Sequence, residues 1–416
     1  MNNKIVLLIV MICLFGHVNG QTTTIVPLDN DSRVITTGLP FILIAPDARA
    51  AGLGDMGVAT SVDGFSQQWN PSKYAFSETK SGIAVSYTPF LTQLVDDIFL
   101  GNVTYFNRLD ERSAIGASLK YFSLGEIEFR DREDDPGTTQ KPNEFSIDAS
   151  YALKLTDQFS MSVAMRYLRS DLRLNTGLNN AEAANTFGVD ISGFYQSEEQ
   201  AYKDFNGRWR GGFAIQNVGP KFKYDDGGTE NFQPTNLRLG GGFDFIFDDY
   251  NKLSVTAEVA KLLVPTPPIT GIETNFTDTN GNGVFDEGDV IGERVDDAQP
   301  QIISGRSSDV GFLPGVFQSF GDAPGGFREE LQEFTWALGA EYLYQDAFAF
   351  RAGYFNESEE KGFRKFLAIG AGFKYNVVNL DMSYLFSTAK NNQNPLEGTL
   401  RFSLTFNIGA GTYNEY

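Results

Sequence analysis

From residue 81 to near the C-terminus, the sequence repeats short segments in which apolar side chains alternate with polar or small ones. In the last segment the polar set is Arg401, Ser403, Thr405 and Asn407, and the apolar set is Leu400, Phe402, Leu404, Phe406 and Ile408. Successive side chains of a β-strand point to opposite faces of the sheet. The alternation therefore predicts strands with one apolar face and one polar face.

We predict fourteen strands, at residues 81–90, 98–107, 112–124, 143–155, 158–170, 185–197, 208–218, 235–247, 251–262, 333–345, 347–356, 364–376, 377–387 and 398–408. The connections after even-numbered strands are short, apart from residues 198–207, whereas several after odd-numbered strands are long. Outer-membrane β-barrels have short periplasmic turns and long outer loops, and an even strand number returns both termini to the periplasm. A soluble β-sandwich would also alternate, but it gives no reason for this distribution of loop lengths.

Aromatic residues near the strand ends also favour a membrane wall, because outer-membrane barrels carry aromatic girdles at both interfaces. These residues are Tyr87, Phe90, Tyr121, Phe122, Tyr250, Tyr344, Phe348, Tyr375 and Phe386. We therefore predict an all-β fold, a 14-stranded antiparallel transmembrane β-barrel formed by residues 81–416. Its predicted location is the outer membrane of a Gram-negative cell, as a multi-pass barrel.

The first 20 residues predict a secretory signal peptide, with Lys4 ahead of an apolar run and a small-residue cleavage site before Gln21. Cleavage removes Cys13 and His17, the only cysteine and histidine of the chain. Without a thiolate nucleophile or a histidine base, we predict that the protein is not an enzyme. No later apolar stretch reaches the roughly 18 residues of a helical membrane span, and the formal net charge of −20 argues against nucleic acid as a partner.

Residues 45–76 do not alternate, and they are rich in alanine and glycine. A ring of fourteen strands encloses a lumen that has to be filled, so we assign residues 21–80 to an N-terminal segment and a plug. The plug residues that we single out are Asp47, Arg49, Asp55, Trp69, Asn70 and Pro71. We expect the plug charges to pair with charges on the wall, such as Arg238 or Glu341.

The connection at residues 263–332 is far longer than an ordinary loop, and it contains a candidate calcium site. Oxygen ligands are spaced as in a calcium-binding loop, with Gly283 at the position of the sharp turn. The predicted ligands are Asp278, Asn280, Asn282, the carbonyl of Val284, Asp286 and Asp289. The alternative is a solvated acidic turn. A bound Ca²⁺ would stiffen the loop and would have no catalytic role.

Two apolar stretches flank this motif within the same long connection. Exposed apolar surface of such size marks a partner or ligand site, although a lid folded over the barrel mouth would also explain it. The candidate partner-binding residues are Leu262, Leu263, Val264, Ile269, Val310, Phe312, Leu313, Val316, Phe317 and Phe320.

Two short stretches of the plug resemble known outer-membrane proteins. Residues 48–54, Ala-Arg-Ala-Ala-Gly-Leu-Gly, followed by Trp69-Asn70-Pro71, resemble the N-terminal hatch of FadL-type barrels, whose Asn-Pro-Ala motif reads Asn70-Pro71-Ser72 here. Residues 38–49, Gly-Leu-Pro-Phe-Ile-Leu-Ile-Ala-Pro-Asp-Ala-Arg, are similar to the PorV (LptO) family of the type IX secretion system in Bacteroidota.

The resemblance implies a FadL-like barrel with a hatch in its lumen and a role in protein secretion. Members of the PorV family bind the C-terminal signal domain of secreted cargo, associate with the giant translocon barrel and pass cargo to the surface sortase or attachment complex. The resemblance supplies no compact motif for cargo contact, so it assigns no residue. The alternatives are a FadL-like outer-membrane channel for hydrophobic small molecules, gated by the plug, and a purely structural barrel without partners.

Overall fold

The computed structural model describes residues 21–28, 33–91, 95, 97–130, 137–172, 183–224, 228–280, 282–389 and 397–409. The predicted signal peptide, residues 1–20, lies outside the described residues. We refer below only to the described part of the chain.

Fourteen antiparallel strands form a closed barrel, in which each strand pairs with the next and the last pairs with the first. The wall strands, numbered β1 to β14 in chain order, are Ser81–Pro89, Ile98–Arg108, Ser113–Leu124, Asn143–Lys154, Phe159–Asp171, Ala184–Gln196, Asn206–Val218, Asn236–Ile246, Lys252–Leu262, Phe334–Tyr344, Phe348–Asn356, Lys365–Tyr375, Val378–Ser387 and Leu400–Ile408. Each boundary lies within two residues of the prediction. The predicted fold class is confirmed.

The two faces of the wall have opposite polarity, as the alternation predicts. Ile147 on β4 is 51% exposed, whereas its neighbours Ser146 and Asp148 are each 1% exposed. A soluble protein buries its apolar residues, but this barrel turns them outward and encloses the polar ones. That arrangement is the one required of a wall surrounded by lipid.

The girdle prediction is wrong for two residues, Phe122 and Phe90, because their side chains point into the lumen. Phe122 is buried and stacks on Phe41, with 6.2 Å between ring centroids. Phe90 contacts the Phe122 ring edge-on at 5.5 Å. The N-terminal segment brings Leu39, Phe41 and Ile42 into this end of the lumen, so the wall is apolar there on its inner face as well.

The remaining elements are short. The helical segments are Pro40–Leu43, Ala48–Gly52, Ser66–Trp69, Pro71–Phe76, Phe312–Gln318 and Phe327–Gln332. The additional strands are Gln21–Pro27, Ile127–Phe129, Thr138–Gln140, Gln200–Ala201, Ile269–Thr277, Val290–Arg294 and Gln301–Ser304. Within the described ranges, none of the helices has the length and apolar character needed to cross a membrane.

The N-terminal strand Gln21–Pro27 pairs antiparallel with Ile269–Thr277, from Gln21 opposite Thr277 to Pro27 opposite Gly271. Its partner belongs to the long connection between β9 and β10, so this strand lies at the long-loop, extracellular end of the barrel. The prediction that both termini return to the periplasm is therefore wrong for the N-terminal segment. The chain runs from the outer mouth down through the lumen and enters β1 at the short-turn end.

Candidate functional site

The plug fills the lumen because its first helix is small enough to lie against the wall. Ala48–Gly52 begins after Asp47, whose Oδ2 accepts a hydrogen bond from the backbone N–H of Ala50 at 2.8 Å. A Cβ at Gly52 would lie 3.1 Å from the Cα of Gly370 on β12. This close approach explains why the sequence of the plug is rich in alanine and glycine.

A buried ion-pair network joins the plug to the wall at Arg49. Its guanidinium donates to both carboxylate oxygens of Glu341 on β10, at 2.9 and 2.8 Å. Glu341 also accepts from Arg351 on β11, which in turn pairs with Asp381 on β13 at 2.7 Å. Within the plug, Arg49 pairs with Asp63 at 2.5 Å. The expected pairing of a plug charge with Glu341 is therefore present.

The expected pairing of Arg238 with a plug charge is not found in the part of the chain that the structure describes. Arg238 on β8 pairs with Glu258 at 2.7 Å, and its guanidinium lies over the ring of Trp69 at 4.9 Å. Among the described residues, it forms no ion pair with a plug carboxylate. Glu258 also accepts the backbone N–H groups of Gly57 and Val58 at 2.9 Å. The wall carboxylate thus binds the plug backbone and the neighbouring arginine together.

Asp55 pairs with a different arginine, Arg401 on β14, at 3.2 Å. Asp55 has a φ of +57°, in the left-handed region that tight turns require. The sequence does not reveal this pair, because the two residues are far apart along the chain and Arg401 is one of several inward-facing arginines.

Two buried charged groups of the plug have displaced pKa values. Burial, followed by repulsion from Asp63, raises the pKa of Asp47 to about 6, although its carboxylate accepts hydrogen bonds from Ala50 and from the indole of Trp69. Burial lowers the pKa of Lys73 to about 8. The Lys73 ammonium donates to the carbonyl of Gly57 at 2.8 Å. Both groups hold segments of the plug against each other.

The Asn-Pro motif fixes the second half of the plug. The Oδ1 of Asn70 accepts from the backbone N–H of Ser72 at 3.2 Å, which caps the helical segment Pro71–Phe76. Its amide nitrogen donates to the carbonyls of Val58, at 2.9 Å, and of Gly193 on β6, at 3.0 Å. One buried side chain therefore ties two parts of the plug to the wall.

At the extracellular mouth, three carboxylates hold the lid against the barrel. We define the lid as residues 310–333, which contain the last two helices. Lys361 pairs with Glu329 at 2.7 Å and with Glu333 at 3.0 Å. Lys261 on β9 pairs with Glu333 and with Glu330, and Arg33 of the N-terminal segment pairs with Glu329. The N-terminal segment, the lid and the wall thus share one charged cluster.

The structure separates the candidate partner-binding residues into three groups. Leu263 and Val264 are buried, so they do not belong to an exposed surface. The half-buried residues are Leu262, Ile269, Val310, Phe312 and Val316. The exposed residues are Leu313, Phe317 and Phe320.

Two further lid residues, which the sequence analysis missed, are also exposed. They are Phe327, which like Phe317 is 77% exposed, and Leu331. Their spacing of four residues on one helix was the available signal. We refer to Leu313, Phe317, Phe320, Phe327 and Leu331 as the apolar lid residues.

The candidate calcium loop folds around its carboxylates. Asp289 accepts the backbone N–H groups of Thr279 at 2.8 Å and Asp286 at 3.0 Å, and these hydrogen bonds lower its pKa. The carboxylate of Asp286 accepts from the side-chain amides of Asn280 and Asn282. In the described part of the chain, no group of three or more His, Cys, Asp or Glu side chains is arranged to hold a metal ion. The calcium prediction stays untested.

Two cavities adjoin the plug, and charged side chains line both. The cavity on the lid side has a volume of about 80 Å³ and is bordered by Asp55, Arg238 and Lys361. The cavity at the short-turn end has a volume of about 300 Å³, and Arg49, Asp381 and other charged residues line it. Binding sites for drug-sized ligands are predominantly apolar, whereas both cavities mix charged side chains with apolar ones, such as Leu43 and Phe355 on the lid side.

Among solved structures, this chain is similar to outer-membrane channels at low identity. The Pseudomonas putida toluene transporter TodX is 12% identical, with 88% of this chain and 99% of that chain covered and a TM-score of 0.47. A Pseudomonas aeruginosa FadL homologue is 12% identical, with 91% and 100% covered and a TM-score of 0.44. The Ralstonia pickettii toluene transporter TbuX is 12% identical, with 88% and 97% covered and a TM-score of 0.43.

No curated protein sequence matches this chain. The sequence profile of the family described as type IX secretion system protein PorV matches residues 28–269, which is more than half of the chain. The matched region contains the plug and the first nine wall strands. This outer-membrane barrel therefore belongs to the PorV family of type IX secretion system proteins.

Proposed function

We propose that this barrel binds the C-terminal signal domain of secreted cargo at its extracellular mouth and passes the cargo from the translocon barrel to the surface attachment complex. The apolar lid residues are the observation that carries the proposal. They include two phenylalanines that are 77% exposed at the long-loop end of the barrel, away from the lipid-facing wall. Several large apolar side chains exposed on one segment at this end of the barrel favour a protein partner.

The charged cluster that joins the lid to the wall favours a rigid docking surface. Glu329, Glu330 and Glu333 are each less than a tenth exposed, and the wall residue Lys261 and the loop residue Lys361 neutralise them. Removing one member of a buried ion pair costs several kcal/mol, about 3–5 in measured cases, so the lid is strongly restrained. A restrained surface loses little conformational entropy when a partner binds.

The contacts of the plug with the wall favour a scaffold function over that of an open channel. Arg49, Asp55 and Asn70 bind the plug to β10, β14 and β6, and the wall residue Glu258 binds its backbone from β9, so four wall strands hold the plug. A channel for hydrophobic small molecules, the alternative function, requires a continuous apolar path, and the two cavities beside the plug have charged linings. The proposed partners are the giant translocon barrel, the attachment complex and the cargo signal domains.

A mild-detergent pull-down of the tagged protein from outer membranes, with mass spectrometry of proteins and lipids, tests this function. We expect to recover the translocon barrel, a sortase-like protein and cargo that shares a C-terminal domain. Deleting residues 309–321 should abolish partner recovery, whereas Leu109→Ser, at an exposed apolar residue of the short turn between β2 and β3, should leave it unchanged. A lone barrel that carries stoichiometric fatty acid would contradict the proposal and favour the channel.

We also propose that Ca²⁺ binds the loop formed by Asp278, Asn280, Asn282, Val284, Asp286 and Asp289. The loop joins the strands Ile269–Thr277 and Val290–Arg294, which pair with each other. Hard oxygen ligands at this spacing suit Ca²⁺. The ion would stiffen the hairpin against which the N-terminal strand lies.

A further inference from the structure

The N-terminal strand Gln21–Pro27 forms the edge of a four-stranded sheet that lies outside the barrel wall. Ile269–Thr277 pairs with it on one side and with Val290–Arg294 and Gln301–Ser304 on the other. Among the described residues, no strand pairs with the second side of Gln21–Pro27. The outer sheet therefore ends in a strand whose outward backbone groups have no strand partner.

The register shows which backbone groups face outward. The N–H of Leu28 donates to the carbonyl of Thr270 at 3.0 Å. Because the N–H and C=O groups of one residue point to the same side and alternate along an antiparallel strand, Thr24 and Val26 face the paired side. Thr23 and Ile25 face the free side. Pro27, which has no N–H, also falls on the free side, so its presence costs the sheet no hydrogen bond.

Over residues 21–26, this edge lacks the features that usually prevent pairing with another chain. Natural edge strands carry charges, internal prolines or bulges. Residues 21–26 read Gln-Thr-Thr-Thr-Ile-Val, without a charge, and most of them are β-branched. Ile25 is 44% exposed, and the pairing with Ile269–Thr277 runs over seven residues without a bulge.

The charge of the outer sheet restricts the kind of strand that can join it. Residues 269–304 contain one basic residue, Arg294, and eight acidic residues: Glu273, Asp278, Asp286, Glu287, Asp289, Glu293, Asp296 and Asp297. An acidic strand would be repelled, whereas a basic one would be attracted. The complementary partner is an extended segment rich in lysine or arginine.

We propose that Gln21–Pro27 accepts, by strand addition, an extended basic segment of the cargo's C-terminal signal domain. This inference rests on the proposed function, and it adds the element of the barrel that binds and the chemistry that is recognised. In strand addition, main-chain hydrogen bonds to the free edge supply affinity, and neighbouring side chains supply specificity. The acidic outer sheet supplies that specificity here.

The double variant Thr23→Pro/Ile25→Pro tests the inference, because it removes two outward N–H groups and keeps those that face Ile269–Thr277. The matched control Thr23→Val/Ile25→Val changes the same side chains and keeps every N–H. In the outer-membrane pull-down, we expect the proline variant to recover at least tenfold less cargo C-terminal domain than the control, at equal recovery of the translocon barrel. Heat-modifiable migration on gels verifies that both barrels are folded.

The outcomes separate the two hypotheses. Equal cargo recovery by the proline variant and its control overturns strand addition and leaves the proposed function in place. Absence of cargo from the wild-type pull-down overturns the proposed function and this inference with it. A cysteine at Ile25→Cys, in a chain whose one native cysteine, Cys13, belongs to the predicted signal peptide, reports the occupant through a cysteine-directed photo-crosslinker. A basic cargo peptide supports the proposal, and a dimer of the barrel overturns it.

Discussion

Arg49 of the plug and Glu341 of β10 form a two-point ion pair, with Nε–Oε2 at 2.9 Å and Nη2–Oε1 at 2.8 Å. Glu341 is also the partner of Arg351, so one carboxylate compensates two buried guanidinium groups. Replacing it would leave buried positive charges close together. The pair therefore fixes the plug to the barrel wall.

Glu341→Gln should lower the free energy of unfolding by up to about 3–5 kcal/mol, the usual cost of breaking a buried ion pair by removing one partner, although Arg49 keeps Asp63 and Arg351 keeps Asp381. The midpoint of guanidinium-induced unfolding in detergent, followed by tryptophan fluorescence, measures this loss. Glu128→Gln is the matched control, because Glu128 pairs with Arg130 on the exposed surface and such pairs contribute little. Equal midpoints for the two variants would contradict the structural role of Glu341.

The plug should become less stable as the pH rises from about 4 to about 6. The ordinary pKa of an aspartate side chain is 3.8, and burial in the plug raises the pKa of Asp47 to about 6. In this window the folded plug keeps the proton that the unfolded chain has lost, so stability falls as the pH rises. The total effect is at most about 3 kcal/mol.

The variant Asp47→Asn should remove this dependence, because its side chain does not titrate. Unfolding midpoints of the wild type and the variant, measured between pH 4 and pH 7, check the prediction. A wild-type midpoint that rises with pH across this window would show that burial does not dominate at Asp47.

Residues at the start of the N-terminal strand should be accessible from outside the cell. The pairing of Gln21–Pro27 with the outer strand Ile269–Thr277 places them there. Thr23→Cys should react with a membrane-impermeant maleimide on intact cells, whereas Asp249→Cys, in the short turn between β8 and β9, should react only after lysis. The reverse labelling pattern would show that the barrel is inserted with its long loops facing the periplasm.

The wall could be predicted from the sequence because each strand carries its own alternating pattern. Ile147 and Asp148 are neighbours that belong to opposite faces, and a one-residue error would exchange lipid and lumen. The girdle prediction was wrong for Phe122 because it used aromatic character alone, which does not distinguish a girdle residue from a lumen residue. Its direction follows from the register of β3, because Phe122 shares the inner face with Ser118 and Lys120, and the apolar segment around Phe41 packs against it there.

The sequence could predict the kind of contact that the plug makes, namely ion pairs with the wall, but not the individual pairs. The sequence indicates buried charges in the plug and on the wall, but it does not reveal that Asp55 pairs with Arg401 and not with Arg238. The pairing of Gln21–Pro27 with Ile269–Thr277 was missed because the N-terminal strand has no apolar–polar alternation. Such long-range pairs depend on how the plug threads the lumen.

The wild-type barrel should bind Ca²⁺ at its outer loop, and Asp286→Asn/Asp289→Asn should abolish that binding. Both carboxylates already accept hydrogen bonds from within the loop, so they lie close to the atoms that would surround an ion. Isothermal titration of the chelator-treated protein with CaCl₂ measures the binding. Asp297→Asn, an exposed acidic residue beyond the loop, is the matched control and should titrate like the wild type. Equal heats for the wild type and the double variant would identify the loop as a solvated acidic turn.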